Sequence, residues 1–276
     1  MPMQIVFFGS FQEYSVIVLE KLLITNHYNL VTVVTTPPAP AGRHLQLKPT
    51  AVQLFAEKHN IPVFTPENLG KPPPFSPDFV VVAGYAKLLP PTWLDLPKIM
   101  AVNLHPSLLP AYRGPNPAEW AILNGETETG VTLIKMSAQF DTGEILTQKS
   151  LSIDPHDTRL SLYNKLYHIG AGLLVETLPQ IASGEIVPVS QISSLNSHLP
   201  YARRITRRDG FVEFEKFKNF LELGAYELEI TRKLKAFAGW PGVWTINPTG
   251  KRIKLVSLEP LLIQVEGKKA TSPSGM

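Results

Sequence analysis

The sequence predicts an α/β fold: a mostly parallel sheet with helices on its faces, followed by a small β-barrel. Three observations carry this. The chain opens strand–helix–strand, the pattern of parallel α/β packing. The run FVVVAGY, residues 79–85, is apolar throughout, as a central strand covered on both faces must be. Beyond residue 204, short strands with turns accompany a single helix, which suits a small barrel.

Each element follows in order. Residues 3–8 (MQIVFF) read as a buried strand, after which Gly9 and Ser10 turn the chain. Residues 13–24 have helical spacing, with Val16, Leu19, Leu22 and Leu23 on one face. Residues 29–35 (NLVTVVT) are β-branched and strand-like. Residues 36–48 are expected as a loop, since three prolines and a glycine oppose regular structure. Thr50 is expected to cap a helix over 50–59, and 71–77 to form another loop. MAVNLH, residues 100–105, is the next strand, ended by Pro106. A short helix over 117–124 and strands over 130–136 and 144–153 follow, then a long helix over 158–183. Residues 184–200 lack periodicity. The late strands are FVEF, VWTI, RIKLVSLEP and LLIQVEG, and the late helix is 226–238. The expected organisation is a catalytic domain over 1–187, a linker over 188–204 and a small domain over 205–276.

Composition narrows the function. Hydrophobic residues are 44% and charged residues 18%, enough for a core and too little charge for disorder. With no cysteine, disulfide frameworks, thiolate metal sites and cysteine nucleophiles are excluded. No apolar stretch is long enough for a membrane helix, and MPMQIVFFGS lacks the layout of a signal peptide, so a cytoplasmic protein with no membrane partner is expected. The first turn, Gly9 to Tyr14, has no G-x-G-x-x-G, and no Walker A sequence occurs. The seven histidines show no metal-binding spacing, so no metal is expected. Charge is divided unevenly. Residues 1–200 carry 12 basic and 15 acidic side chains, residues 201–276 carry 14 and 8. A net +6 module behind a net −3 domain suggests a polyanion partner, against the plainer reading of a solvated basic surface.

The chemistry is concentrated in Asn103–Gly114. Asn103 and His105 are two apart on a strand, so both side chains leave the same face. They lie at the carboxyl end of that strand, where open parallel sheets bind ligands. Asp141-Thr142-Gly143 lies between two later strands. Such a triplet is ordinarily only a turn. An Asp returning to a His would orient its ring, and an Asn beside them could donate to an oxyanion. Together they make an acyl-transfer set whose nucleophile comes from the substrate, most simply an amine. Ser107 is outside any G-x-S-x-G elbow.

These residues resemble the folate-dependent formyltransferases. The likeness rests on Asn103–Pro110, Tyr112-Arg113-Gly114, Glu128–Thr132 and Asp141–Gly143. The resemblance implies a Rossmann-like sheet of formyltransferase type, an OB-like C-terminal barrel and 10-formyltetrahydrofolate as co-substrate. It further implies that Asn103 holds the formyl oxygen, that His105 donates a hydrogen bond and moves a proton, and that Asp141 fixes His105 or deprotonates the amine. Ser107, Leu108, Leu109 and Pro110 would line the folate site with Tyr85 and Leu88. Within the family the nearest likeness is to members that act on initiator methionyl-tRNA. It runs through Ala41-Gly42-Arg43, Lys48-Pro49, Tyr201-Ala202, Arg204-Ile205, Trp240-Pro241 and Leu258-Glu259-Pro260. Arg43, Arg204, Arg207, Arg232 and Lys233 are the implied tRNA contacts, and a monomer is expected. Two readings compete: N-formylation of a nucleotide-linked amino sugar, and a non-catalytic RNA-binding protein.

Overall fold

The computed structural model describes residues 1–41, 45–70, 72, 74, 76–191, 198–223 and 228–273. They form two compact units. The first holds residues 1–115, 129–151 and 163–201, the second residues 116–128, 152–162 and 202–276.

The first unit begins with β1 (Met3–Phe8), α1 (Gln12–Leu23) and β2 (Tyr28–Val34). β1 is buried from Ile5 to Phe8. The buried face of α1 is Tyr14, Ser15, Val18, Leu19 and Leu22, so the expected stripe through Val16 and Leu23 is rotated. The cause is Ser15: its hydroxyl donates to Ala83 O at 2.7 Å and accepts from Phe11 N at 2.9 Å, which turns this small polar residue inward. Residues 36–48 are not the expected loop throughout. β3 (Ala39–Ala41) and β4 (Gln46–Lys48) pair as an antiparallel ribbon. In a two-stranded ribbon every strand is an edge, so Pro40 loses nothing by lacking an N–H there. α2 (Ala51–Lys58) starts as expected: Thr50 Oγ1 accepts from Gln53 N at 3.0 Å.

β5 (Val63–Phe64), β6 (Phe79–Ala83), α3 (Pro91–Leu94) and β7 (Met100–His105) follow, then α4 (Pro117–Asn124), β8 (Glu128–Lys135), β9 (Ile145–Ser152) and α5 (Arg159–Ala182). The sheet order is β5-β2-β1-β6-β7-β8-β9. Pairings from β5 through β7 are parallel, and β8 runs antiparallel to β7. On one face Val6, Phe8, Val80, Val82, Tyr85 and Trp93 pack together, with Phe8 edge-on to Tyr85 and Trp93 at 5.2 and 5.1 Å. Each such side chain contributes about 1.5–3 kcal/mol by leaving water. On the other face Tyr163 and Tyr167 of α5 meet Phe11 and Tyr14. Pro179 lies inside α5, where its missing N–H leaves the Val175 carbonyl without a helical partner. Tyr28 Oη donates to that carbonyl at 2.8 Å, and burial pushes the Tyr28 phenol up to about 12.

The second unit contains α4, α6 (Phe214–Leu223), α7 (Leu228–Ala236), β10 (Val243–Ile246), β11 (Arg252–Leu258), β12 (Leu261–Val265) and β13 (Ala270–Thr271). The four strands form an antiparallel sheet in the order β10-β11-β12-β13. FVEF is not a strand: Phe211 makes one bridge to Trp244 and Phe214 opens α6. The cue is helical spacing, since Phe217 and Phe220 are buried beside Phe214 and Leu221. They share a core with Ile230, Val243, Ile253, Leu255 and Ile263. Gly125, at φ +74, ends α4 in the left-handed conformation that a β-carbon disfavours.

Candidate active site

β7 delivers Asn103 and His105 to one face, as the two-residue repeat requires. Asn103 lines an open cleft of about 420 Å³ together with Val82, Tyr85, Leu88, Met136 and Asp141. Its carboxamide has no hydrogen-bond partner among the described residues. His105 is 4% exposed and stands behind Asp141. Its Nε2 is 3.0 Å from Tyr112 O, and a carbonyl only accepts, so this nitrogen carries a proton. Its Nδ1 faces Asp141 Oδ1 at 3.4 Å. Asp141 Oδ2 accepts from Gly114 N at 2.9 Å. The structure thus brings Asn103, His105 and Asp141 together.

Asp141 arrives on the loop between β8 and β9, whose base is pinned by Lys135 N donating to Glu144 O at 2.9 Å. Gly143 makes this path possible: a β-carbon there would lie 1.7 Å from Lys135 O. Asp141 itself has φ +55. Ser137, on the same loop, is bonded to Gln139 O and Thr142 Oγ1, and among the described residues no histidine or carboxylate hydrogen-bonds it.

The residues implied for folate separate into two groups. Tyr85 and Leu88 line the cleft. The Tyr85 hydroxyl is buried without a hydrogen-bond partner among the described residues, and burial pushes its pKa up from the ordinary phenol value. Ser107, Leu108, Leu109 and Pro110 stand outside the cleft lining. Ser107 Oγ donates to Ala111 O at 2.8 Å. Leu109 N donates to Thr132 Oγ1, Thr132 Oγ1 donates to Ser107 O, and Gln148 Nε2 donates to Leu109 O. This segment frames His105 through the backbone. Thr132, Gln148, Gln191 and the side chain of Arg113 were not singled out from the sequence. Thr132 was at least present in the Glu128–Thr132 stretch; a lone glutamine in an aperiodic segment gave no signal for Gln191.

The residues implied for tRNA also separate. Arg43 lies outside the described residues. Arg204 and Arg207 are exposed. Arg207 lines an open cleft of about 850 Å³ with Trp240, Trp244, Arg252 and Lys254. Arg232 is half-buried, with its guanidinium over Gly125. Lys233 Nζ donates to Phe211 O and pairs with Glu229, both at 3.1 Å, and Glu229 is held below the usual carboxylate range by Lys216 and Lys233. Among the described residues no group of acids and histidines is arranged to hold a metal, and no helix is long and apolar enough to cross a membrane.

Comparison with known proteins completes the picture. A family profile described as formyl transferase matches residues 3–178. The methionyl-tRNA formyltransferase of Geobacter sulfurreducens is 35% identical over 259 residues, which are 92% of this chain and 77% of that protein. HypX from Aquifex aeolicus, solved in complex with tetrahydrofolic acid, matches 93% of this chain and 38% of its own at a TM-score of 0.63 and 19% identity. An N-formyltransferase from Helicobacter canadensis, solved with folinic acid and dTDP-3-aminofucose, matches 93% of this chain and 88% of its own, with a TM-score of 0.64 and 20% identity. At such identities the two solved structures speak to the fold.

Proposed function

The chain belongs to the formyl transferase family, and we propose that it moves a formyl group from 10-formyltetrahydrofolate to the amino group of methionyl-tRNA, the charged initiator of translation. One observation carries the chemistry. An unengaged carboxamide, Asn103, and a carboxylate, Asp141, face one cleft whose serine is not activated.

The amine attacks the formyl carbon directly. The new N–C bond forms, and the bond from that carbon to folate N10 breaks. Asn103 Nδ2 donates to the formyl oxygen as it gains charge. Asp141 takes the proton that the amine gives up and returns it to N10 as the bond from the formyl carbon breaks, so the carboxylate is restored. His105, anchored through Nε2 on the Tyr112 carbonyl, backs the carboxylate with Nδ1 3.4 Å from Oδ1, and Gly114 N, donating to Oδ2, keeps it turned toward the cleft. Tyr85 and Leu88 are assigned to the folate wall, with Tyr85 Oη as its hydrogen-bonding atom. Ser107 to Pro110 are the frame behind it.

The tRNA backbone is assigned to the basic residues beyond 200, Arg204 and Arg207 foremost, and to Arg43. The cleft of Trp240 and Trp244 beside Arg207, Arg252 and Lys254 supports this, since aromatic faces and cations together suit nucleic acid. The Phe211–Trp244 bridge adds a short fifth element beside β10, which supports an OB-like reading of the C-terminal sheet. A monomer working in the cytoplasm, where charged tRNA is used, completes the reading.

The test supplies 10-formyltetrahydrofolate with charged methionyl-tRNA and, in parallel, a nucleotide-linked amino sugar. Formyl is expected on the methionine amine. Formylation of the sugar alone would overturn the acceptor assignment, and a formylated protein residue during turnover would overturn direct attack.

A further inference from the structure

The segment that leaves α5 does more than connect. Ile145 and Val189 exchange both backbone hydrogen bonds, each at 2.8 Å. Two residues further on stands Gln191, 9% exposed. Its Nε2 donates to the carbonyls of Asp141 at 3.0 Å and Gly143 at 2.7 Å. Its Oε1 accepts from Arg113 Nε at 3.1 Å and Nη2 at 2.5 Å. A carboxamide has two N–H donors and two acceptor positions, so this one is fully engaged.

The turn it grips needs gripping. A non-glycine residue at positive φ persists only where its surroundings over-determine it, and Asp141 is such a residue. Gln191 bonds on both sides of Thr142, which fixes the turn from the backbone. Gly114 N fixes the carboxylate from the other side, and Gly114 is the chain neighbour of Arg113. The Arg113 charge on Oε1 also polarises the amide and strengthens its N–H donors. Gln191 is outside the cleft lining, so any effect on the reaction passes through Asp141.

We infer that Gln191, backed by Arg113, is a positioning residue that holds the Asp141–Gly143 turn in the one conformation that aims the carboxylate at the reacting amine. This rests on the formyl-transfer reading above. A glutamate at 191 keeps the size and the bond to Arg113 but offers no N–H to the two carbonyls. An alanine removes everything. A shift of the order of 1 Å in a reacting group costs about 10²-fold, so Gln191→Ala and Gln191→Glu should each lower kcat by about 10–100-fold with KM for both substrates nearly unchanged.

The experiment measures formylation of charged methionyl-tRNA by the full chain. Gln191→Ala, Gln191→Glu, Asp141→Asn and the Gln191→Ala/Asp141→Asn double variant are compared under single-turnover conditions. In the Asp141→Asn background, Gln191→Ala should cost little more, because two residues acting as one unit do not add. A Gln191→Glu variant with the wild-type kcat would overturn the inference. So would losses that multiply in the double variant, or a rise in KM with kcat unchanged. A wild-type chain that transfers no formyl group sinks the functional reading instead, and that is seen before any variant is compared.

Discussion

Tyr85 carries a hydroxyl that the free protein does not use. It is buried and unbonded among the described residues, and burial keeps it protonated. Leaving such a group unpaired costs about 1–3 kcal/mol. Tyr85→Phe should therefore raise the stability of the free protein by about 1 kcal/mol, read by thermal unfolding, while weakening folate binding about tenfold, since one lost hydrogen bond is of order 1 kcal/mol. A loss of stability with unchanged folate affinity would refute that role. Asn103 is the reverse case, a polar group held at the cleft surface. Asn103→Ala should lower turnover by about 10²–10³-fold, the scale of losing an oxyanion donor, with the fold intact. Near-normal turnover would remove it from the mechanism. Asn103 and His105 were legible because a strand repeats every two residues. The path that brings Asp141 to them was not. It depends on Gly143 passing Lys135 O within the turn itself, and on Gly114 N and the Gln191 carboxamide, which reach it from 27 and 50 residues away and bond at one end to backbone atoms that no residue type announces.

The 3-10 turn at Arg207–Gly210 is closed by Asp209. Its carboxylate accepts from Thr206 N at 2.7 Å and pairs with Arg203, which holds its pKa well below the usual carboxylate range. A depressed folded pKa contributes stability that is present above the unfolded value, near 3.9, and is lost as pH falls through the folded one. Asp209→Asn should cost about 1 kcal/mol at neutral pH, the usual worth of a cap, and the gap between variant and wild type should narrow below about pH 4. Melting curves at the two pH values decide this, and a gap that widens in acid refutes it. Elements with strong periodicity or plain caps were legible: β6 by its unbroken apolar run and α2 by Thr50. The sequence hides α6 because Val212, Glu213 and Phe214 alternate apolar and polar like a strand just where the helical spacing of Phe214, Phe217 and Phe220 begins. The β3–β4 ribbon was missed because proline forbids a central strand but not an edge.

Across the whole chain, the split between a net −3 and a net +6 stretch is the strongest pointer to a polyanion. The structure separates basic side chains that are free to meet one from those that are spent. Arg204 and Arg207 are exposed, whereas Lys233 is tied to Phe211 O and Glu229. Binding of tRNA should weaken steeply with salt, and Arg207→Ala should lower the slope of log K against log salt by about 1, the signature of one phosphate contact. An unchanged slope would take Arg207 out of the interface. Charge totals could not make this separation, because the pairing that spends a lysine exists only in the folded chain. The same holds for Tyr28 and Pro179. The proline withholds an N–H from the Val175 carbonyl, and a phenol from far earlier in the chain supplies the missing donor. Tyr28 and Pro179 are thus two halves of one local solution, and a change at either alters what the other contributes to the helix.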